Sequence, residues 1–540
     1  RFAKTLLTER FAVPVICGHE VADELNMIER GTTALLNARL LPLVSGFMNA
    51  VEDALAARGV RVPVMIVRSD GSLMSEELGW IRPVETILSG PAASALGGTG
   101  LAGKQGRDCL VIDMGGTTTD ISITREGVPT LSTTGIRIAG WRTQVKGVSV
   151  ETYALGGDSV LRLVDGRLML AAQRVLPMCV AASRWPVVRE ALRGVLATAR
   201  RHSLPLHEFL SLVHKPADSG RFTVRENALV KTLVDGPLNV EAAATAVGTD
   251  IYQLGSERLE AEGIILRCGL TPTDLMHIRG DFTAYDTEAA VLVARCLLRC
   301  QVRLADDDEG LQTLAEEGYD LMKRTLYAHV VRTVLAAEHP GLFADGPDAQ
   351  LDFLISQAWG QWREGMPTSF IDILPHIGAT LVGIGAPIHI FLPEVAEALG
   401  ARCVIPEHSE AANALGAVIS SISATAKVEI SSYSAEDGQG GYRIHGPQGT
   451  ERYDTLEIAI AAAESAAAQA AEAEARRRGA TGFLTVETEV DPQSISDSEG
   501  RTTIFGFTVH AVASPVQGVD ADIAGLPRHR FTYPTRTSSG

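Results

Sequence analysis

From Cys109 to Ile123 the chain reads Cys-Leu-Val-Ile-Asp-Met-Gly-Gly-Thr-Thr-Thr-Asp-Ile-Ser-Ile, and these residue types and their spacing suit anion chemistry. An apolar run, Leu110 to Ile112, ends in Asp113; two glycines then turn the chain into a second β-branched run, the pattern of a β-hairpin with a polar tip. At such a tip Gly115 and Gly116 let backbone N–H groups approach an anion with no Cβ in the way, while Thr117, Thr118 and Thr119 add hydroxyl donors. Asp113, at the end of the first strand, is placed to hold Mg²⁺ through water, because Mg²⁺ keeps most of its hydration shell. An ordinary hairpin, with threonines for β-propensity and Gly-Gly for the turn, uses the same residues, so the stretch by itself leaves both readings open.

Two further stretches carry the same kind of chemistry. Gly156-Gly157-Asp158-Ser159 puts two glycines before an acid and a hydroxyl, which suits a tight turn near phosphate or metal and makes Gly157 and Asp158 candidates for binding. Thr380 to Ile384 reads as a strand that runs into the glycine turn Gly383-Ile384-Gly385 and then a helix from Pro393 to Leu399. A third glycine is lacking there, so it is no dinucleotide fingerprint. Gly98 to Gln105 nearly spells a phosphate loop, but Gln105 replaces the Ser or Thr that binds Mg²⁺ and the segment precedes a strand; it reads as a loop. Thr271-Pro272-Thr273-Asp274 suits a helix cap, with Asp274 a further candidate and His277 a structural histidine. Cys296 and Cys300 lie four apart on a helical pattern without a second Cys/His pair, which favours buried thiols over a metal site.

These segments must be positioned by an α/β scaffold, because buried-strand runs (13–17, 62–67, 110–112, 380–384) alternate with helical periodicity, as from Glu20 to Arg58. The polar turn Ser69-Asp70-Gly71-Ser72 follows one strand's C-terminal end, the edge where ligands of such sheets collect. More strands are expected over 128–138 and 144–153. Residues 186–337 read as mostly helical, with a small helix-turn-helix over 228–263 (helices 239–246 and 251–262) whose Glu257, Glu260 and Glu262 disfavour DNA. From Lys427 short alternating strands surround an alanine-rich helix, Leu456 to Arg478, whose alanines read as helix propensity and solubility; a polar tail covers 527–540.

The 540 residues allow two to four domains. With 46% hydrophobic and 21% charged residues the composition is globular, and a net charge of −17 argues against a general nucleic-acid or anionic-membrane binder. Apolar stretches such as 381–400 contain Gly, Pro, His and Glu, so no membrane span is expected. Arg1 to Arg10 carries charges of both signs and no long apolar core, so no signal peptide is expected either, and seven scattered cysteines fit reduced thiols in the cytoplasm.

Asp113 to Asp120 resembles the second phosphate hairpin of the superfamily that joins actin, the sugar kinases and the heat-shock chaperone ATPases. Together with 64–74, Arg82 to Ala93 and Thr271 to Asp274, it resembles the hydantoinase/oxoprolinase family, A-subunit type, over roughly residues 15–420. The resemblance implies actin-like, ribonuclease H-like ATPase lobes with a helical insertion and a small C-terminal α+β domain. It divides the chain into 1–105 (remainder of a first lobe), 106–425 (second lobe, insertion about 185–335) and 426–540. That family normally begins with an earlier Gly-Gly-Thr hairpin that has no counterpart before residue 100 here, so a preceding segment is expected.

The resemblance further implies ATP and Mg²⁺ as cofactors, with Asp113 and Asp158 on Mg²⁺, Asp113 also catalytic, and Gly115, Gly116, Thr117, Thr118 and Gly157 on phosphate. Gly383 and Gly385 would face adenosine, flanked by His389 or Glu410. The implied reaction is ATP-dependent opening of a cyclic amide of hydantoin or 5-oxoproline type, a carbonyl substrate activated by phosphorylation, with a B-type subunit as partner; a homo-oligomer is compatible. An actin-like small-molecule kinase, an ATPase that activates another enzyme, and a scaffold with a lapsed site are the alternatives.

Overall fold

The computed structural model describes residues 2–516 apart from 12–14, 23–25, 133, 139, 165, 199–203, 217–218, 300–304, 341–348, 366–372, 435–439, 448 and 497–501. Cys300, part of the 13–17 run and the tail at 527–540 lie outside the described residues. The chain divides into two compact units: the first comprises 1–111, 122–150 and 406–540, the second 112–121 and 151–405. This division is not contiguous in sequence.

In the first unit the helix Met27–Ala57 is capped by Asn26, whose side chain accepts from the N–H groups of Ile28 and Glu29. Buried Asn37 fixes it, donating to Ile81 O (2.9 Å) and accepting from Val84 N–H (3.1 Å). Among the described residues this helix is long and apolar enough to cross a membrane by length and composition, a test that core helices also pass. The run 62–67 shortens to Met65–Val67, paired only with Leu73–Ser75, and Val15–Cys17 is not a strand. The near-phosphate-loop segment is not a loop. Its first half closes the helix Ser89–Ala102, which crosses Ala412–Ile419 so closely that a Cβ on Gly97 would stand 1.8 Å from Ala412 O. Small residues are required there because the two backbones touch. Strands expected over 128–153 are fragmentary, Val128–Pro129, Arg137–Ile138, Trp141–Arg142 and Val150–Tyr153, since Gly135 and Gly140 take positive φ and turn the chain.

The C-terminal part of this unit is a five-stranded antiparallel sheet in the order Gly449–Tyr453, Gly440–Gly446, Ala424–Ser434, Thr502–Pro515, Leu484–Ser496. Helix Leu456–Arg477 packs on it through Ala459, Ala463, Ala467, Ala471 and Ala475, all fully buried. The spacing of four puts them on one face against Val428, Ile430, Ile444 and Val509. The alanines therefore pack, which goes beyond propensity.

In the second unit the ends of Cys109–Met114 and Thr119–Arg125 lie in a sheet beside Thr380–Ile384 and Cys403–Val404. The region expected to be mostly helical also holds a four-stranded sheet, ordered Leu176–Pro177, Ile265–Gly269, Phe209–Leu212, Leu238–Asn239. The helix-turn-helix appears as Val240–Val247 followed by a 3₁₀ turn and the short Glu257–Ala261. Glu260 is spent on Arg267 (2.6 Å), and that arginine also reaches buried Glu208 (3.1 Å).

Candidate functional site

The hairpin forms where the sequence places it. Leu110, Val111 and Ile112 are buried strand residues, and Gly115 N–H donates to Thr118 O (2.9 Å) to close the tip. Thr119 is fully buried, its hydroxyl donating to Leu155 O (2.7 Å), so it belongs to the scaffold. Thr117 and Thr118 differ from it. Their hydroxyls, and the N–H groups of Gly116 and Thr117, make no hydrogen bond within the described residues. The tip therefore offers two backbone and two hydroxyl donors to an anion.

A second loop is built onto this tip. Gly157 N–H donates to Gly115 O (3.3 Å) and Asp158 N–H to Gly116 O (2.5 Å), while Ser159 Oγ accepts from Gly156 N–H (3.0 Å) and holds the turn. A Cβ on Gly156 would meet Gly116 O at 2.5 Å, Gly116 C at 2.6 Å and Gly115 O at 2.7 Å. Only glycine allows that approach. Gly157 O in turn accepts from Thr273 N–H (3.1 Å) and Thr273 Oγ1 (2.8 Å), which docks the helix Pro272–Arg279 behind the loop.

Carboxylates flank the tip, a facing pair at its base and a third against Gly116. Extending the Gly115/Thr118 pairing back along both strands sets Asp113 opposite Asp120, which only strand register brings into the site. Burial raises the Asp120 carboxyl above the ordinary value, Asp113 raises it further, and the Thr152 hydroxyl (2.6 Å) partly offsets both. The Asp158 carboxylate lies against Gly116, within 3.0 Å of where a Cβ would be. Burial pushes its pKa up to about 6, with Arg174 lowering it and Asp274 raising it. The facing Asp113 and Asp120 repel each other, a charge that a hydrated Mg²⁺ would compensate; among the described residues no group of three or more His, Cys, Asp or Glu is placed to hold a metal ion directly.

Other candidates have different work. Asp274 is fully buried and accepts from Cys179 N–H (2.7 Å), Met178 N–H (3.2 Å), Thr271 N–H (2.9 Å) and Thr271 Oγ1 (2.9 Å). It joins two helix N-termini and has no face toward a ligand. His277 accepts from Tyr285 N–H at Nε2 (3.0 Å) and has Nδ1 on Thr273 O (2.8 Å), the neutral tautomer of a structural histidine. Gly385, at φ +90°, brings its backbone onto the hairpin base, where a Cβ would stand 2.2 Å from Met114 O and 3.0 Å from Asp113 Oδ1. Gly383 is buried, and the space of its absent side chain is taken by Leu392 and Ile388. His389 is exposed and turns back onto Ala386 O (2.9 Å); in the first unit, exposed Glu410 lies near His408 (3.8 Å). There too, Asp70 is spent on Arg68 (2.7 Å) and Ser72 (2.6 Å), and Arg68 on Glu85 (2.8 Å), a closed buried network.

A family model, hydantoinase/oxoprolinase, matches residues 30–183, a span that contains both the hairpin and the Gly156 to Ser159 loop. Among relatives, caprolactamase subunit alpha of Pseudomonas jessenii is 30% identical over 182 residues, 33% of this chain and 25% of that protein. 5-Oxoprolinase 1 of Arabidopsis thaliana is 34% identical over 166 residues, 30% of this chain and 12% of that protein. The matched stretches thus span a quarter or less of these two relatives. A nucleotide-free structure of acetone carboxylase, described with ATP-dependent acetone carboxylation, shares the fold at TM-score 0.52 and 12% identity, over 94% of this chain and 61% of that one.

Proposed function

We propose that the chain, whose residues 30–183 match a hydantoinase/oxoprolinase family model, is the subunit of an ATP-dependent enzyme that activates a carbonyl oxygen by phosphorylation. The observation that carries the reading is the hairpin tip, with N–H groups of Gly116 and Thr117 and hydroxyls of Thr117 and Thr118 unbonded, Asp158 against Gly116 and the facing pair Asp113 and Asp120 at the base. Phosphoryl transfer needs little covalent help from protein; it needs positioned donors and charge compensation. Gly116, Thr117 and Thr118 would cradle the phosphates on the tip that Gly115 closes. Asp113 and Asp158 would orient Mg²⁺, which compensates charge on the phosphates when bound, with Asp120 supporting Asp113. Gly385, packed on the hairpin base, would bring its backbone toward the nucleoside.

The substrate would be a cyclic amide of hydantoin or 5-oxoproline type, because phosphorylating an amide oxygen turns a poor electrophile into a good one. Support for that class comes from relatives called caprolactamase and 5-oxoprolinase. The word subunit in one of those names supports a partner chain, proposed here as a B-type subunit. The test is ATP hydrolysis by the chain with its co-expressed partner in the presence of hydantoin, 5-oxoproline and caprolactam. Hydrolysis coupled to ring opening of one of them is expected; ATP turnover indifferent to all three would replace this reading with a different acceptor class.

A pH dependence follows from Asp158. With its pKa near 6, the carboxylate is charged above that value and protonated below it. Mg-ATP affinity is therefore expected to fall as pH drops through about 6, and Asp158→Asn to flatten the profile, as read by titration calorimetry between pH 5 and pH 8. Stability runs the other way: burial makes the folded chain hold this proton more tightly than the unfolded chain does, so raising pH from the ordinary carboxylate range of about 4 through about 6 costs stability.

A further inference from the structure

We infer that Arg174 is a phosphate-binding residue of the same site, the guanidinium that receives the terminal phosphate at the hairpin tip; this rests on the nucleotide reading given above. Strand Arg167–Arg174 pairs with Ser159–Val164 in regular register up to Ala171 opposite Val160. Regular pairing would next set residue 172 opposite Ser159. A β-bulge intervenes, and Arg174 takes that place. Bulges re-aim side chains, and this one exchanges an alanine for an arginine beside Asp158.

The bulge is fixed at both ends. Gln173 donates to Glu260 (2.9 Å), itself held by Arg267 (2.6 Å), and Val175 N–H donates to Asp158 O (3.1 Å). The backbone of Arg174 is thus clamped to the loop that carries Asp158, and that loop is bonded to Gly116 of the tip. The head is left available: Nε lies 3.8 Å from Asp158 Oδ2, within ionic reach and beyond hydrogen-bond length, and the side chain is 65% exposed. A cation held near unbonded N–H groups by a carboxylate, with its donors unspent, is suited to bidentate capture of a phosphate. Nothing in the sequence motif announces it, because residues 172 and 173 are passed over to bring it into register.

The alternative is that Arg174 only positions Asp158. Both are separated by titrating Mg-ATP and Mg-ADP, in parallel, into the wild-type chain, Arg174→Ala and Arg174→Lys. A charge-assisted bond to the terminal phosphate predicts that Arg174→Ala loses about tenfold or more for ATP and much less for ADP, with Arg174→Lys in between. Equal losses for both nucleotides, with the pH midpoint shifted, would overturn the assignment and leave Arg174 as a positioning residue. Unchanged affinity in Arg174→Ala would overturn both roles. A folded wild type that binds neither nucleotide would instead remove the nucleotide reading itself, and Arg174's role with it.

Discussion

Gly156→Ala is expected to abolish measurable Mg-ATP binding while leaving the chain folded, at a cost of about 1–3 kcal/mol from overpacking. The three atoms that the new methyl would meet, at 2.5, 2.6 and 2.7 Å, are all backbone atoms of Gly115 and Gly116. A side chain would rotate away; backbone at the closed end of a hairpin does not. The loop must then lift from the tip, breaking the bonds from Gly157 N–H and Asp158 N–H and carrying the Asp158 carboxylate off the site. Gly194→Ala is the control: it sits in the helix Val187–Thr198 with nothing within 4 Å of the added methyl, so it is expected to be neutral or stabilising by up to about 1 kcal/mol. Denaturation and calorimetry on both variants check this. A Gly156→Ala protein that binds as the wild type does would mean that the two loops do not act together.

Asp113→Asn is the second large effect. The substitution keeps the shape at the strand end and removes a charge from the facing pair with Asp120. If the pair orients Mg²⁺, Mg²⁺-dependent affinity falls on the order of 10–100-fold, and turnover falls by about a hundredfold or more. Nucleotide binding measured without Mg²⁺ should be unchanged or improved, because one negative charge beside the phosphates is gone. Stability is expected to hold or rise for the same reason, which separates a loss of function from a loss of fold.

How far the sequence shows this site follows from how locally each part is encoded. The hairpin is written in consecutive residues, apolar run, acid, two glycines, hydroxyls, apolar run, and its structure follows that order. Gly156 to Ser159 is equally local, and the Thr271 to Asp274 cap takes the form its spacing dictates. Asp120 and Arg174 are not local in this sense. The first enters through cross-strand register and the second through a bulge, and neither is visible in residue types along one strand. Gly383 looked like a ligand-facing glycine, yet its missing side chain makes room for Leu392 and Ile388, a packing demand that glycine in a strand expresses in the same letters. The alanine helix illustrates the reverse case: high propensity and close packing on a sheet both select alanine, and only the structure shows the second at work. The two units are each assembled from separated segments, and composition shifts along the chain carry no trace of that.

The central claim, that the glycine hairpin with its facing aspartates is a magnesium-nucleotide phosphate site, is tested most directly by calorimetric titration of ATP, with and without Mg²⁺, into the wild-type chain and Asp113→Ala. The account predicts Mg²⁺-dependent binding to the wild type that is weakened at least tenfold in the variant. A well-folded wild type that takes up no ATP, or an Asp113→Ala protein that binds with the same affinity and the same dependence on Mg²⁺, would contradict it.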